Sequence, residues 1–406
     1  MTTARTAALF STGLPDPTQG GSGIFNYLVA DELLRRGYRV LAVFRVSRAF
    51  ADRAITGSYL RELQERGLEV ETVGEDAPLR RRDFGLTALE RLHSYESSRL
   101  AVERLVTRES LDFCISLDLG WALALADLPV RRLSILGDPY HRRVRETTPF
   151  SLQRRSTWGV LVRAKSVERS MSRLAERLRP YGESDSAVLA SFAPQHADEF
   201  RAAGLACRHV RWFVPGPERV ERHPPTDRLR LLHVGDLAST ASRQMLRYWD
   251  SELLPAASRL ACPIDLEFVG RVDTLQPPLG TWPNIHVTFS GHVDDLRPPF
   301  AAATAYLSPM NYRVGVRTRI LTALAHGVPV VASTAAALGL PELRDGVDIV
   351  YADNGPAVAG ILSRLADDAS LVERLGAAAR TSWERFYDAR VNVPALVDLA
   401  DPPATE

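Results

Sequence analysis

The chain has 406 residues, 45% hydrophobic and 24% charged, which is enough apolar content for two packed domains with cores of their own. Its formal net charge is +1, so a general attraction to nucleic acid is excluded as an organising principle. The three cysteines, Cys114, Cys207 and Cys262, lie far apart without zinc spacing or a disulfide framework, which points to a reduced, cytoplasmic protein.

Ala7 to Thr12 reads as a buried first strand. A loop rich in glycine and proline, Gly13 to Gly23, follows it. Ile24 to Arg36 carries Leu28, Leu33 and Leu34 at helical spacing, and Gly37 stops that helix. Arg39 to Phe44 and Leu68 to Val73 read as the next strands, and Thr87 to Arg108 as a long helix. Phe113 to Leu117, Arg132 to Leu136, Ala187 to Ser191 and His209 to Val214 complete the strands of this half. Between them, Ser151 to Arg179 looks helical. Alternating strand and helix imply a parallel, doubly wound sheet.

Pro215 to Thr226 holds four prolines and a glycine with little apolar content, and reads as a linker. A second alternation begins at Leu229 to Gly235. It runs through a helix near Gln244 to Leu260 and the strand Asp265 to Gly270. Asn284 to Phe289 and Ala305 to Pro309 are further strands. Val328 to Ala332 and Ile349 to Tyr351 follow, then two helices, near Pro356 to Asp367 and Ser370 to Phe386. No short repeat is visible. The domains expected are 1–214, a linker at 215–226, and 227–375, with 376–406 packing back on the first domain.

The most informative stretch is Gly315 to Ser333: a glycine turn, a short helix, Gly327 at its C-terminus, and a buried strand. A turn leading into a helix presents backbone N–H groups to an anion. Arg317 and Arg319 add guanidinium forks suited to phosphate. Lys165 is the one lysine among 50 basic residues, so charged phosphate contacts fall to arginine or histidine.

This stretch resembles the donor-binding signature of family 4, group 1 glycosyltransferases of the GT-B fold. The resemblance implies two doubly wound Rossmann-like domains facing a central cleft. It also implies transfer of a sugar from a nucleotide-sugar donor to an acceptor hydroxyl, retaining and metal-independent, without a cofactor. The acceptor class stays open: a glycan, a lipid-linked or a small-molecule acceptor. Gly20, Gly21 and Gly23 match the family's glycine loop after the first strand. Val234-Gly235 matches the first turn of the donor domain, where many members place an arginine and a lysine on the diphosphate. Here Asp236 follows, and the next basic residue is Arg243. Gly270 and Arg271 match the next strand-end loop. Gly291, His292 and Val293 look like the loop bordering the base. The turn itself, with Gly315, Val316, Arg317 and Arg319, is the expected diphosphate site.

The family's pair of glutamates, one near the hexose and one on the ribose, falls on Val314 and Thr322, neither of them acidic. Threonine cannot fully replace a carboxylate at a ribose diol. A second class of function therefore stands beside the transferase: a non-catalytic sugar- or nucleotide-binding subunit that has lost turnover. A nucleotide-sugar epimerase of the same fold is a third reading. Glu342 and Asp345 could supply a carboxylate, or be loop charges. For the first half, the resemblance implies a catalytic acid or histidine after a mid-domain strand. Asp138 and His141 match it, with Asp118 a second candidate, against a helix-cap or loop role. No metal motif is present in the sequence.

From Arg142 to Arg179, eleven basic residues face three acidic ones, a net +8. Such a stripe has the charge to touch anionic lipid at the inner membrane face, or an acidic glycan. A solvated helix face is the other reading. The N-terminus has too short an apolar core for a signal peptide. No run reaches the roughly 18 to 20 apolar residues of a membrane span.

Overall fold

The apolar runs of both halves become parallel strands, because residues such as Leu9 and Leu231 have neighbouring strands on both sides. Leu9 lies opposite Ala42 and Ile115, and Leu231 opposite Leu266 and Ala305. The computed structural model describes residues 5–18, 20–46, 58–74, 95–139, 174–183, 185–218, 221–237, 240–272, 279–310 and 312–402. Among these the chain forms two units. Unit 1 takes the residues up to Arg211 together with 390–402, and unit 2 takes Trp212–Ala389.

Unit 1 holds β1 (Thr6–Thr12), β2 (Arg39–Val46), β3 (Leu68–Gly74), β4 (Phe113–Leu117), β5 (Arg131–Leu136), β6 (Ala187–Ser191) and β7 (Cys207–His209). They form one parallel sheet in the order β3-β2-β1-β4-β5-β6-β7. β4 is buried along its whole length, as expected of a strand covered on both faces. On one face Phe10 and Trp121 pack with ring centroids 5.3 Å apart, in a cluster with Val43, Val102 and Leu105. Burying a large apolar side chain of this kind contributes about 1.5–3 kcal/mol. A second cluster, around Leu178, Leu189 and Phe200, covers the β5–β6 side. The C-terminal residues are fixed by charge: Arg5 donates to both carboxylate oxygens of Asp401 at 2.7 and 2.9 Å, and the Tyr38 hydroxyl donates to it at 2.7 Å. Arg36 pairs with Asp398 at 2.6 Å.

Unit 2 holds β8 (Leu229–Val234), β9 (Ile264–Val269), β10 (Ile285–Gly291), β11 (Ala305–Ser308), β12 (Val330–Ala332) and β13 (Val350–Tyr351). Their order is β10-β9-β8-β11-β12-β13, again parallel. Both sheets are Rossmann-like. Strand order reverses between β1 and β4 and between β8 and β11, and open α/β sheets bind ligands outside the strand C-termini at such points.

Two local expectations need correction. The strand expected at 209–214 is the short β7, ending at His209, with Val214 forming only an isolated bridge to Asp388. The helix expected at 244–260 is three pieces: Thr240–Tyr248, a π-turn at Trp249–Leu253, and Leu254–Ala257. The described part of the helix expected at 87–108 is Tyr95–Arg108. Of the basic stretch 142–179, residues 142–173 lie outside the described residues. Within 215–226, Arg222 donates to the carbonyls of Gly327 and Ala303, and the His223 N–H donates to Ala301 at 2.8 Å, so this part is bonded to unit 2. No helix among the described residues is long and apolar enough to cross a membrane.

Candidate functional site

The C-terminal edge of β8, β9 and β10 is built from glycine. Gly235 follows β8, Gly270 follows β9 and Gly291 ends β10. The Gly270 N–H donates to the Gly291 carbonyl at 2.7 Å, and the Gly235 N–H to the Val269 carbonyl at 2.9 Å. Gly270 has φ +137°, and a Cβ placed there would lie 1.8 Å from the Gly235 carbonyl oxygen. Only glycine fits that position. Leaving out these side chains keeps backbone at the floor of the edge.

Across β8 from these turns, β11 leads into the turn of Gly315, Val316 and Arg317 and then the helix Thr318–Ala325. Gly315 has φ +75°, and Arg317 is the helix N-cap residue, with its carbonyl accepting from the Ile320 N–H at 3.0 Å. The Arg317 guanidinium folds back: Nη2 donates to the Tyr312 carbonyl at 3.1 Å, and the group sits 5.1 Å from the Tyr312 ring centroid. Arg319 differs. It is half-buried, and among the described residues it has no hydrogen-bond or ion-pair partner. Burial pushes its pKa below the usual arginine value, and the Tyr306 phenol pulls weakly the other way. Arg319 is thus a cation held in low dielectric in the first turn of the helix Thr318–Ala325.

The two positions where the resemblance places glutamates are core positions here. Val314 is 2% exposed. The Thr322 hydroxyl donates to the Thr318 carbonyl at 3.1 Å, within its own helix. Glu342 accepts from the Tyr387 hydroxyl at 2.7 Å, and Asp345 from the Tyr351 N–H at 2.8 Å, so both carboxylates have structural partners. Arg271 faces Asp236 in a two-pronged ion pair. Arg243 is half-buried on the helix Thr240–Tyr248, His292 is exposed, and Val293 is half-buried. His292 Nε2 lies 3.6 Å from an Asp294 oxygen.

One residue at this edge was not read from the sequence. His233, at the end of β8, is buried between rings, stacked on Tyr306 and edge-on to Trp249. Its Nδ1–H donates to the Leu307 carbonyl at 2.7 Å. Burial pushes its pKa down to about 4, partly offset by that hydrogen bond, so the ring is neutral near pH 7. The β8 pattern itself offered the signal, since His233 alternates with apolar positions on the core face.

In unit 1, Gly20 is the N-cap residue of the helix Gly21–Arg35, and its carbonyl accepts from the Gly23 N–H at 3.0 Å. A Cβ on Gly20 would meet nothing within 4 Å, so the loop is open there. Asp138, just after β5, is 39% exposed, and one of its oxygens lies 3.4 Å from Nδ1 of the buried His196. His141 lies outside the described residues. His196 stands on the first turn of the helix Pro194–Ala202. Pro194 after the apolar run of β6 is the sequence signal for that helix start.

With this geometry in place, the comparisons are specific. Residues 228–368, within unit 2, match the family model of glycosyl transferases group 1. Three solved structures share the GT-B fold over nearly the full length. HepE of Anabaena, solved in complex with UDP-glucose, is 16% identical, with 97% of this chain and 99% of that chain covered and a TM-score of 0.62. Sucrose-phosphate synthase of Thermosynechococcus elongatus is 15% identical, with 97% and 98% covered and a TM-score of 0.68. The lipopolysaccharide outer core galactosyltransferase WaaB is 13% identical, with 97% and 99% covered and a TM-score of 0.61. No curated protein sequence matches the chain.

Proposed function

We propose that the chain transfers a glycosyl group from a nucleotide-sugar donor to an acceptor hydroxyl, with the donor diphosphate held at the Gly315–Arg319 turn. The observation that carries this reading is Arg319, a half-buried cation without a carboxylate partner among the described residues. As the glycosidic bond breaks, negative charge grows on the leaving diphosphate. A preformed cation and backbone N–H groups stabilise that charge most at the transition state. Metal-independent action follows from arginine supplying the positive charge. Retention of anomeric configuration rests on family resemblance. The complex of HepE with UDP-glucose supports a nucleotide-sugar donor.

Within the same reading, Arg271 and Arg243 lie on the approach to the diphosphate, and the Gly291–Val293 loop borders the base. Asp138, backed by His196, is the candidate for contact with the reacting sugar. A cytoplasmic enzyme fits the reduced cysteines. The second reading, a binding subunit without turnover, is favoured by one observation: Val314 and Thr322 offer no free polar group.

Release of nucleoside diphosphate from a panel of nucleotide sugars, with calorimetric titration of UDP and GDP, separates the readings. Binding with release supports the transferase. Binding without release supports the subunit. No binding of either nucleotide and no release would overturn both.

A further inference from the structure

We propose that His233 is a specificity-determining residue of unit 2, whose Nε2 accepts a hydrogen bond from a hydroxyl beside the donor diphosphate. The hydroxyl comes from the ribose diol or from position 2 of the transferred sugar. The assignment rests on the donor reading above.

His233 stands near the end of β8 and is 6% exposed. Three rings fix its plane. It stacks on Tyr306 at 5.8 Å, stands edge-on to Trp249 at 5.4 Å and lies 5.9 Å from Phe268, between ring centroids. Trp249 is itself tied down, its indole N–H donating to the Pro309 carbonyl at 2.6 Å. The His233 Nδ1 faces the Leu307 carbonyl at 2.7 Å. A carbonyl only accepts, so Nδ1 carries the proton and Nε2 of the neutral ring is a bare acceptor. No described residue donates to it. Solvent meets that demand in the free protein, and a ligand hydroxyl takes the place of solvent on binding.

Gly235 shows where Nε2 points. A Cβ built on Gly235 would lie 3.5 Å from Nε2, an ordinary contact, and would meet no other described atom within 4 Å beyond its chain neighbours. Its φ is outside the left-handed region. Neither backbone nor packing therefore demands glycine at 235. At Gly270, by contrast, a Cβ would lie 1.8 Å from the Gly235 carbonyl oxygen. The missing side chain at 235 leaves Nε2 uncovered where β8 lies between β9 and β11, the point at which the strand order reverses.

The charge of the surroundings selects the ligand group. Burial lowers the His233 pKa most, and the nearby charge of Arg319 lowers it further, so the acceptor and the cation assigned to the diphosphate share one neighbourhood. A neutral ring with its one proton spent on Leu307 offers nothing to a phosphate oxygen; it takes an O–H. The carboxylates that the resemblance implies for hexose and ribose are replaced by Val314, which is buried, and Thr322, whose hydroxyl is spent within its own helix. His233 is an acceptor that this chain supplies at the same edge.

The test is calorimetric titration of the full chain with matched pairs: UDP and GDP against their 2′-deoxy and 3′-deoxy forms, and UDP-glucose and GDP-glucose against their 2-deoxyglucose forms. Wild type is expected to bind the hydroxyl-bearing member of one pair about three- to tenfold more tightly, as one neutral hydrogen bond allows. The pair that shows the preference tells ribose from transferred sugar. His233→Asn keeps an N–H in place of Nδ1 and has no atom at Nε2. Gly235→Ala keeps the histidine and covers Nε2 with a methyl group. Both are expected to bring the ratio to about one. A merely structural histidine would weaken both members of the pair alike and leave the ratio as in wild type. That result overturns the proposal, and Gly235→Ala delivers it even where His233→Asn fails to fold. Equal affinity within every pair for wild type overturns it as well. So does proton uptake on UDP binding that His233→Asn abolishes, which would make the ring a cation for the diphosphate. Binding with unaltered ratios counts against this assignment alone, whereas no binding of any of these nucleotides by wild type overturns the donor reading and the assignment together.

Discussion

Asp236 and Arg271 form a two-pronged ion pair across the ends of β8 and β9, with Oδ1 accepting from Nε at 3.1 Å and Oδ2 from Nη2 at 2.8 Å. Asp236 stands where the family resemblance leads one to expect a basic residue, and it holds the one arginine of the adjoining loop. Both side chains are largely exposed, so the pair itself contributes at most about 1 kcal/mol to stability. Its effect on an incoming diphosphate is larger in kind: it presents a neutralised arginine and a nearby negative charge.

Asp236→Asn is therefore expected to leave stability almost unchanged and to tighten UDP binding about three- to tenfold, or roughly 1 kcal/mol. Arg271→Ala should have the opposite sign. Calorimetry on both variants checks this. Unchanged affinity in both would remove Arg271 from the diphosphate's surroundings.

The strands were legible because burial on both faces leaves near-continuous apolar runs, as in Phe113–Leu117 and Leu229–Val234. The glycine turns were legible because Gly270 and Gly315 occupy backbone conformations that other residues enter only with strain. The helix Leu119–Leu125 was not, since seven mostly buried residues show no amphipathic period. The long-range pairings were also hidden. Arg45 meets Asp118, and His196 approaches Asp138, only through the strand order of the folded sheet. The pairing of Arg271 with Asp236 was hidden in the same way, because the two loops meet only where β8 and β9 lie side by side.

Arg319→Met tests the buried cation in two directions at once. Removing a charge held in low dielectric without a carboxylate should raise the melting temperature of the free protein. Removing a charge-assisted contact should weaken UDP binding by about 1.5–3 kcal/mol, or roughly ten- to a hundredfold. Arg317→Ala should weaken it less, because the Arg317 fork already bonds the Tyr312 carbonyl. A lower melting temperature together with wild-type UDP affinity would identify Arg319 as structural.

His233 makes stability depend on pH. Its pKa falls from an ordinary 6.5 to about 4 in the fold, because burial disfavours the charged ring. Unfolding below pH 6.5 therefore takes up a proton that the native state refuses. Stability is complete above that pH, falls as pH drops toward 4, and levels off below it. The full loss is about 3 kcal/mol by the usual conversion of pKa shifts. His326, lowered by burial as well, adds to it with the same sign. Urea unfolding of wild type and His233→Gln at pH 7.5 and 4.5 measures this. The variant should lose less stability than wild type between the two pH values, and an equal loss would show that His233 is not the source.

Gly339 supports the anion turn from behind, and its substitution should act on binding through packing alone. A Cβ there would lie 2.8 Å from the Gly315 carbonyl oxygen, 3.0 Å from Val316 Cγ2 and 3.2 Å from Val316 Cα. Its φ is not in the left-handed region, so alanine is allowed by the backbone and fails only on space. Two of these neighbours are backbone atoms, which cannot rotate away; the turn itself must shift by several tenths of an ångström. Overpacking of this sort costs about 1–3 kcal/mol. On the proposed function a displaced turn also misdirects the N–H groups offered to the diphosphate, so Gly339→Ala should weaken UDP binding about tenfold even where the protein remains folded. Gly360→Ala is the control, because a Cβ at that exposed helical position meets nothing within 4 Å. It should gain up to about 1 kcal/mol from helix propensity and keep wild-type affinity. Calorimetry and thermal melts on the two variants decide the matter: equal UDP affinity in both would show that the Gly315–Arg317 turn does not carry the nucleotide.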